Sequence, residues 1–349
     1  SFDPRFTYYR YSGKKQVGSV YLTENYDLTP KLTSQATVQL RYQDYRFDQE
    51  KMGIYPGHKY TLHWLFFSPR LGFNYSLDQN TSAYVNAAVS SRTPSDAEIY
   101  DAGDPEAAPL LDVQSERVLN IELGGTYRGP QVALGANLFW MNYHDEIISQ
   151  GGINANTGVP LTVSADRSVH AGIELTAVVK ATKRLELSGN MAWNHNRVRE
   201  FTSLFQYDYS SLDSIHVVDF KNKTISGFPD YLANLIIDYR ADRFRATWRA
   251  RMVGKQYLEL ENIDLWAIKA YTVSSISLSG RIADISGLGK MTLSVTIDNL
   301  FDKKYAASGY GGNFVTRDSE SGEFTVGGWA DYFVAAERNF FVQLEMELF

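Results

Sequence analysis

The chain of 349 residues contains no cysteine at all. That removes disulfides, thiolate nucleophiles and cysteine-ligated metals from consideration, and it fits an exported chain that manages without disulfides. It also lacks a run approaching the ~18 consecutive apolar residues of a membrane-spanning helix. This absence leaves a strand-spanned membrane open, because a spanning strand needs only ~10 residues and gives a weaker signal. No basic excess is present: the formal charge is -6, which gives no reason to expect a nucleic-acid partner. The six histidines, at 58, 63, 144, 170, 195 and 216, form no HExxH or other metal pair at helical spacing. There is no G-x-S-x-G elbow, and Gly287-Leu288-Gly289-Lys290 is too short for a phosphate loop. The main reading that follows is therefore non-enzymatic, with no cofactor and no metal site, and a Ser/His barrel enzyme stays open as an alternative. Ser1 is not a natural start and the given residues include no signal peptide, so the N-terminus is expected to have been removed by processing or truncation.

What the chain has in quantity is aromatic side chains and strict alternation. There are 23 Tyr, 19 Phe and 6 Trp. Tyr and Trp are favoured where one end of a side chain is apolar and the other wet, as at membrane interfaces. From Met291 to Asp298 the pattern is unbroken: Met291, Leu293, Val295 and Ile297 on one face, Thr292, Ser294, Thr296 and Asp298 on the other. That is the signature of a strand with one apolar face.

The same design recurs in pairs. Val20, Leu22, Tyr26 and Leu28 lead through Thr29-Pro30-Lys31 to Ala36, Val38, Leu40 and Tyr42. Leu71 to Leu77 turns at Asp78-Gln79-Asn80 into Ala83 to Val89, and Leu119 to Tyr127 turns at Arg128-Gly129-Pro130 into Val132 to Trp140. Ile173 to Val179 pairs with Leu185 to Trp193, Ala233 to Tyr239 with Phe244 to Met252, and Ile276 to Ile282 with the 291–298 strand. Phe340 to Leu348 closes the chain. About thirteen strands result, joined by short turns on one side and long loops on the other, among them 91–113, 198–226 and 306–335. A soluble sandwich has strands of ~5–6 residues and no such alternation of loop length. An all-β, antiparallel transmembrane barrel of the outer membrane, lipid outside and polar lumen inside, accounts for the pattern.

Three segments then resemble a known family. Asn299-Leu300-Phe301-Asp302-Lys303-Lys304-Tyr305 is similar to the NLFDxxY signature of TonB-dependent outer-membrane receptors. Ser91-Arg92-Thr93-Pro94-Ser95, running on to Tyr100, resembles their strand-to-loop segment, and Ala336-Glu337-Arg338-Asn339-Phe340-Phe341 their arginine-aromatic approach to the last strand. The resemblance implies a barrel of about 22 strands with a plugged lumen. Residues 1–349 would be its C-terminal portion, without the plug or roughly the first nine strands. It further implies import of a scarce nutrient, with iron chelates such as ferric siderophores first and cobalamin, haem or oligosaccharide as alternatives. Energy would come from a TonB-ExbB-ExbD-type complex acting on the plug. The family's terminal aromatic, which serves the barrel assembly machinery, would be Phe349, one step past the register of Leu348. A passive porin-like channel and a barrel enzyme remain the competing classes.

Candidate residues fall into three sets. Arg243, Arg245, Arg249 and Arg251 share the parity opposite Phe244, Trp248 and Met252. Arginine at the lipid midplane costs ~2–4 kcal/mol, so this stripe is expected to face the lumen. Beside Glu122, Glu174 and Glu186 it forms either a solvated, plug-contacting wall or a guide for an anionic ligand. Tyr207, Tyr209, Tyr257, Trp266, Tyr310, Phe314, Trp329 and Tyr332 lie in long loops, where they either stack on a ligand ring or pack the loops themselves. Asp96, Glu98, Asp101, Asp104 and Glu106 share one loop without EF-hand spacing and are read as an acidic surface. The Asn299–Tyr305 motif is expected to be architectural, since Asn and Asp can bond the local backbone where alternation ends.

Overall fold

A computed structural model describes residues 5–7, 9–52, 59–99, 114–153, 160–206, 215–285, 289–318 and 320–347. Its first strands are β1 (Tyr9–Thr29), β2 (Leu32–Met52), β3 (Lys59–Ser76) and β4 (Thr81–Arg92). After a four-residue helix α1 (Asp96–Ile99) come β5 (Glu116–Arg128), β6 (Val132–Ile153), β7 (Pro160–Lys180) and β8 (Leu185–Glu200). A small hairpin, β9 (Thr202–Gln206) and β10 (Ile215–Asp219), precedes β11 (Tyr231–Arg240), β12 (Phe244–Val253), β13 (Tyr271–Ile285) and β14 (Gly289–Asp298). A second hairpin, β15 (Ala306–Arg317) and β16 (Phe324–Val334), precedes β17 (Asn339–Glu347).

Thirteen strands form one antiparallel sheet in the order β1-β2-β3-β4-β5-β6-β7-β8-β11-β12-β13-β14-β17. These are the thirteen alternating segments read from the sequence. The two extra hairpins lie inside segments that the sequence alone leaves as loops.

The register lines up the apolar parity from strand to strand. Val20 faces Leu40, and Leu40 faces Phe67. Leu123 faces Val85 and Leu138, and Ile173 faces Leu138 and Trp193. Trp248 faces Ile237 and Ile276, and Leu293 faces Leu344. Side chains of this parity are half-buried or exposed, with Leu22 at 68%, Trp193 at 62% and Val342 at 70%. A continuous apolar face with no protein against it belongs in lipid.

Strand length departs from the ten-residue expectation. β1, β2 and β7 have 21 residues and β6 has 22. At about 3.3 Å per residue a 21-residue strand runs roughly 70 Å, well beyond a hydrocarbon core of ~30 Å even when tilted. The turns on one side are short, for example the hydrogen bond from Gly129 N to Val132 O and the Asp78 carboxylate accepting from Asn80 N and Thr81 N. The excess length therefore rises on the opposite, extracellular side.

The dry cores lie there too. One joins Ile148, Ala165, Val198, Phe220, Ile225 and Leu260. A second joins Val253, Leu258, Ile268 and Tyr271, and a third Tyr45, Phe47 and Ile99. Protein packing takes over where the surroundings change from hydrocarbon to water.

Candidate functional site

The polar face opposite the lipid parity is knitted by charge. Asp238 is buried and accepts hydrogen bonds from Arg245 Nε at 2.8 Å, Thr247 Oγ1 at 2.7 Å and Arg240. Glu186 lies directly opposite Asp238, on the same face as Arg245. Glu174 lies opposite Asn137, whose amide donates to it at 3.1 Å, and Asn120 donates to Glu122 at 2.7 Å. Arg249 and Arg251 continue this face and are exposed, while Arg243 sits in the turn just before β12. The basic stripe is thus interrupted by a buried aspartate, which sequence reasoning did not single out.

Higher up, on the same inward parity, β1 to β3 carry an aromatic wall. Between Gln43 and Glu50 the odd positions are Gln, Tyr, Phe, Gln and the even ones Asp, Arg, Asp, Glu. Tyr45 and Phe47 turn inward and are buried. Phe47 stacks on Tyr60 with ring centroids 5.0 Å apart and on Tyr11 at 5.6 Å. The Lys15 ammonium lies 4.7 Å from the Tyr45 ring centre, and Trp64 packs against the same cluster. None of these residues was a sequence candidate. The signal was a clean two-residue period with the aromatic and charged parities separated, just past the last lipid-facing residue.

A third constellation joins β6, β7 and β8. The His170 ring contacts Glu146 Oε1 at 2.8 Å through Nε2 and Asn196 Oδ1 at 2.9 Å through Nδ1. Ser168 Oγ donates to the same carboxylate, and Tyr143 and Phe228 meet the His170 ring edge-on at 5.2 Å. A positive φ of 55° at Asp145 interrupts the alternation of β6, and Glu146 next to it turns inward to His170. Ser168 does not contact the imidazole here, so the cluster lacks the nucleophile-to-base contact of a hydrolase. It braces three strands at the mouth.

The loop aromatics divide. Tyr207 and Tyr209 lie outside the described residues. Tyr257 is half-buried, its hydroxyl donating to Asp264 at 2.8 Å beside Lys255, and that cation holds the Asp264 carboxyl below its usual range. The Trp266 indole lies against Gly328 of β16. The β15–β16 hairpin has two faces. Gly309, Gly311 and Gly328 let one face lie on Leu258 and Trp266. Tyr310, Phe314 and Trp329 share the other, with Tyr310 edge-on to Trp329 at 5.6 Å. Tyr332 projects from the packed face but stays exposed at its margin.

The loop between β12 and β13 is pinned to the segment after β10. Asn262, at φ 60°, accepts from Thr224 N at 2.5 Å and donates to Thr224 O at 2.9 Å. Beside it Glu259 is only 1% exposed. Its Oε1 accepts from Ile263 N at 2.7 Å, its Oε2 has no partner, and burial pushes its carboxyl above the usual range.

The family motifs are structural joints. Arg92 bridges Glu116 and Glu98, while Pro94 is buried and Glu98 accepts from Ser95 N at the start of α1. Asn299 (φ 49°) accepts from Lys303 N at 2.8 Å and donates to Lys303 O at 2.9 Å. Leu300 N bonds Ser274 O of β13, Phe301 is exposed, Asp302 accepts from Arg338 N, and Tyr305 stacks on Tyr271 at 4.3 Å. Asp96 and Glu98 lie in α1, whereas Asp101, Asp104, Glu106, Leu348 and Phe349 fall outside the described residues. Among the described residues no group of three His, Cys, Asp or Glu could hold a metal.

A wall of lipid-facing strands, a polar inner face and a braced extracellular rim define an outer-membrane β-barrel protein. Residues 1–300 match the TonB dependent receptor-like β-barrel family, and the chain belongs to that family. It is 25% identical over 244 residues to the pesticin receptor of Yersinia pestis, covering 69% of this chain and 32% of that protein. Its fold is similar to that of the ferric yersiniabactin uptake receptor FyuA from Yersinia pestis, with a TM-score of 0.71 and 17% identity over 99% of this chain and 48% of that one. The siderophore receptor PiuA from Acinetobacter baumannii gives a TM-score of 0.70 and 15% identity over 96% and 43%. The chain thus spans about a third of the length of the curated relatives it matches.

Proposed function

We propose that the protein carrying this chain is an energised outer-membrane importer of a scarce metal chelate, ferric siderophores foremost. The observation that carries this reading is the aromatic cluster at the mouth, where exposed Tyr11 and Lys15 and half-buried Tyr60 lie over the buried Tyr45 and Phe47. Flat aromatic faces next to a cation suit a ligand that is anionic and carries rings or conjugated oxygens. The printed functions of the similar structures, ferric yersiniabactin uptake and siderophore reception, support the same ligand class.

Two features support a larger assembly. Among the described residues β1 pairs only with β2, and β17 only with β14. Open sheet edges are not tolerated in hydrocarbon, so further strands of the natural protein would close the barrel between them. The Arg245–Asp238–Arg240 group and the exposed Arg249 and Arg251 then face a plug, through which a TonB-ExbB-ExbD-type complex supplies energy.

Growth under iron limitation tests this. Deleting the gene should abolish use of one ferric chelate, and restoring it with Tyr60→Ala should raise the chelate concentration needed by about tenfold, the loss of one stacking contact. Unchanged ferric-chelate uptake in the deletion strain would defeat the reading.

A further inference from the structure

The sheet is not evenly zipped. β3 and β4 pair from Ser76–Ser82 up to Arg70–Ala88 and no further, although β3 continues upward to Lys59 and β4 to Arg92. The next residue of β3 is Pro69, which has no N–H to give a ladder and is rare in mid-sheet. Above it the wall splits. On the lumen side the split is closed from β2: Arg41 reaches beneath β3 to donate to the Ser91 carbonyl at 2.8 Å, with its guanidinium 5.0 Å from the Phe66 ring centre, and Gln43 donates to Thr93 at 3.1 Å. On the outer side the split remains open as a groove of about 740 Å³.

The groove has an apolar floor and a polar rim. Leu65, Phe67, Val89 and Leu119 line the floor, on the lipid-facing parity. Arg117, His144, Asn142 and Asp145 line the rim. Along β5 and β6 the outward pairs change in order: Ile121–Trp140, then Leu119–Asn142, then Arg117–His144. A tryptophan marks the membrane interface, and Arg117–His144 is two outward pairs, roughly 13 Å of strand, above it. That is the level of headgroups. Arg117 and His144 lie directly opposite each other and both are exposed. Side by side, a guanidinium and an imidazole bring N–H donors from two strands to one point, which suits an anion bound between them.

We propose that this split holds one lipid of the outer leaflet, an acyl chain lying along Leu65, Phe67, Val89 and Leu119 and a headgroup phosphate at Arg117 and His144. The floor is continuous with the lipid-facing surface, so an acyl chain enters it without leaving hydrocarbon. The donors of the rim outnumber its carboxylate, which favours a phosphate over an amine. The lipid would thereby fill the break that Pro69 introduces and seal the wall from outside, as Arg41 seals it from within.

Native mass spectrometry of the natural full-length protein, purified in detergent and supplied with defined probes, tests this. Diphosphoryl lipid A should be retained, and the same lipid without phosphates should be retained about tenfold less, the worth of one charge-assisted contact. Arg117→Ala should reduce retention of the diphosphoryl form by a similar factor, and Arg117→Lys should keep most of it. Val89→Trp, which fills the floor without altering charge, should reduce it as strongly. Equal retention by wild type and Arg117→Ala, equal retention of the two lipids, or full retention in Val89→Trp overturns the proposal. Inorganic phosphate binding as tightly as the lipid would show a bare anion site and overturn it equally.

Discussion

Asn299 donates a hydrogen bond from Nδ2 to the carbonyl of Ala336 at 3.1 Å, tying two sequence motifs that lie 37 residues apart. The same side chain holds Lys303 at both N–H and C=O, and Asp302 accepts from Arg338 N. The chain leaves the membrane at the end of β14, makes the β15–β16 excursion and returns at the foot of this one joint.

Replacing Asn299 should therefore act on assembly rather than on ligand affinity. Asn299→Leu loses three side-chain hydrogen bonds and places a branched residue at φ 49°. A cost of about 2–4 kcal/mol follows, read as a lower denaturant midpoint for the protein in detergent. Asn299→Gly, which accepts the backbone angle but not the bonds, should recover only part of it.

Gly328 seats the Trp266 indole, and a Cβ there would overlap it. Gly328→Val should lift the β15–β16 hairpin from the Leu258–Trp266 loop at a cost of about 1–3 kcal/mol. Amide exchange in β15 and β16 should accelerate about tenfold or more, while the paired residues of β13 and β14 keep their protection.

Glu259 gives a pH dependence with a definite sign. Burial raises its pKa in the folded loop, so the folded state holds this proton more tightly than the unfolded chain does. Stability of the loop is full below the ordinary carboxyl range and falls as pH rises through the raised value. Exchange of the 254–268 segment should be slower at pH 4 than at pH 7.5, after correction for intrinsic rates. Glu259→Gln, which keeps the acceptor for Ile263 N, should flatten that difference and protect the loop at neutral pH by about 1–3 kcal/mol.

The membrane-level sheet was legible because hydrocarbon on one face and a polar lumen on the other force a two-residue period in residue type. Thirteen such runs became thirteen paired strands. The extracellular extensions were not, since above Tyr42 the outward positions become Asp44, Arg46 and Asp48 and an apolar period no longer marks the strand. β15 was hidden for a different reason: its Ser-Gly-Tyr-Gly-Gly run lacks β-branched residues, and its strand form depends on packing against Leu258. The Glu146–His170–Asn196 brace joins residues 24 and 26 positions apart, next to the positive-φ residue Asp145. No spacing rule anticipates it.

The absence of cysteine from these 349 residues allows the central claim to be tested along one strand, with any cysteine elsewhere in the natural protein first replaced by serine. Single cysteines placed from Met291 to Ile297 of β14, spin-labelled in the full-length protein reconstituted into bilayers, report contact with oxygen in lipid or with a nickel chelate in water. Labels at 291, 293, 295 and 297 should favour oxygen, and those at 292, 294 and 296 should not, giving a two-residue period across the strand. Oxygen accessibility that is flat along β14, or that peaks at the threonines and Ser294, would contradict a barrel wall with Leu293 in lipid.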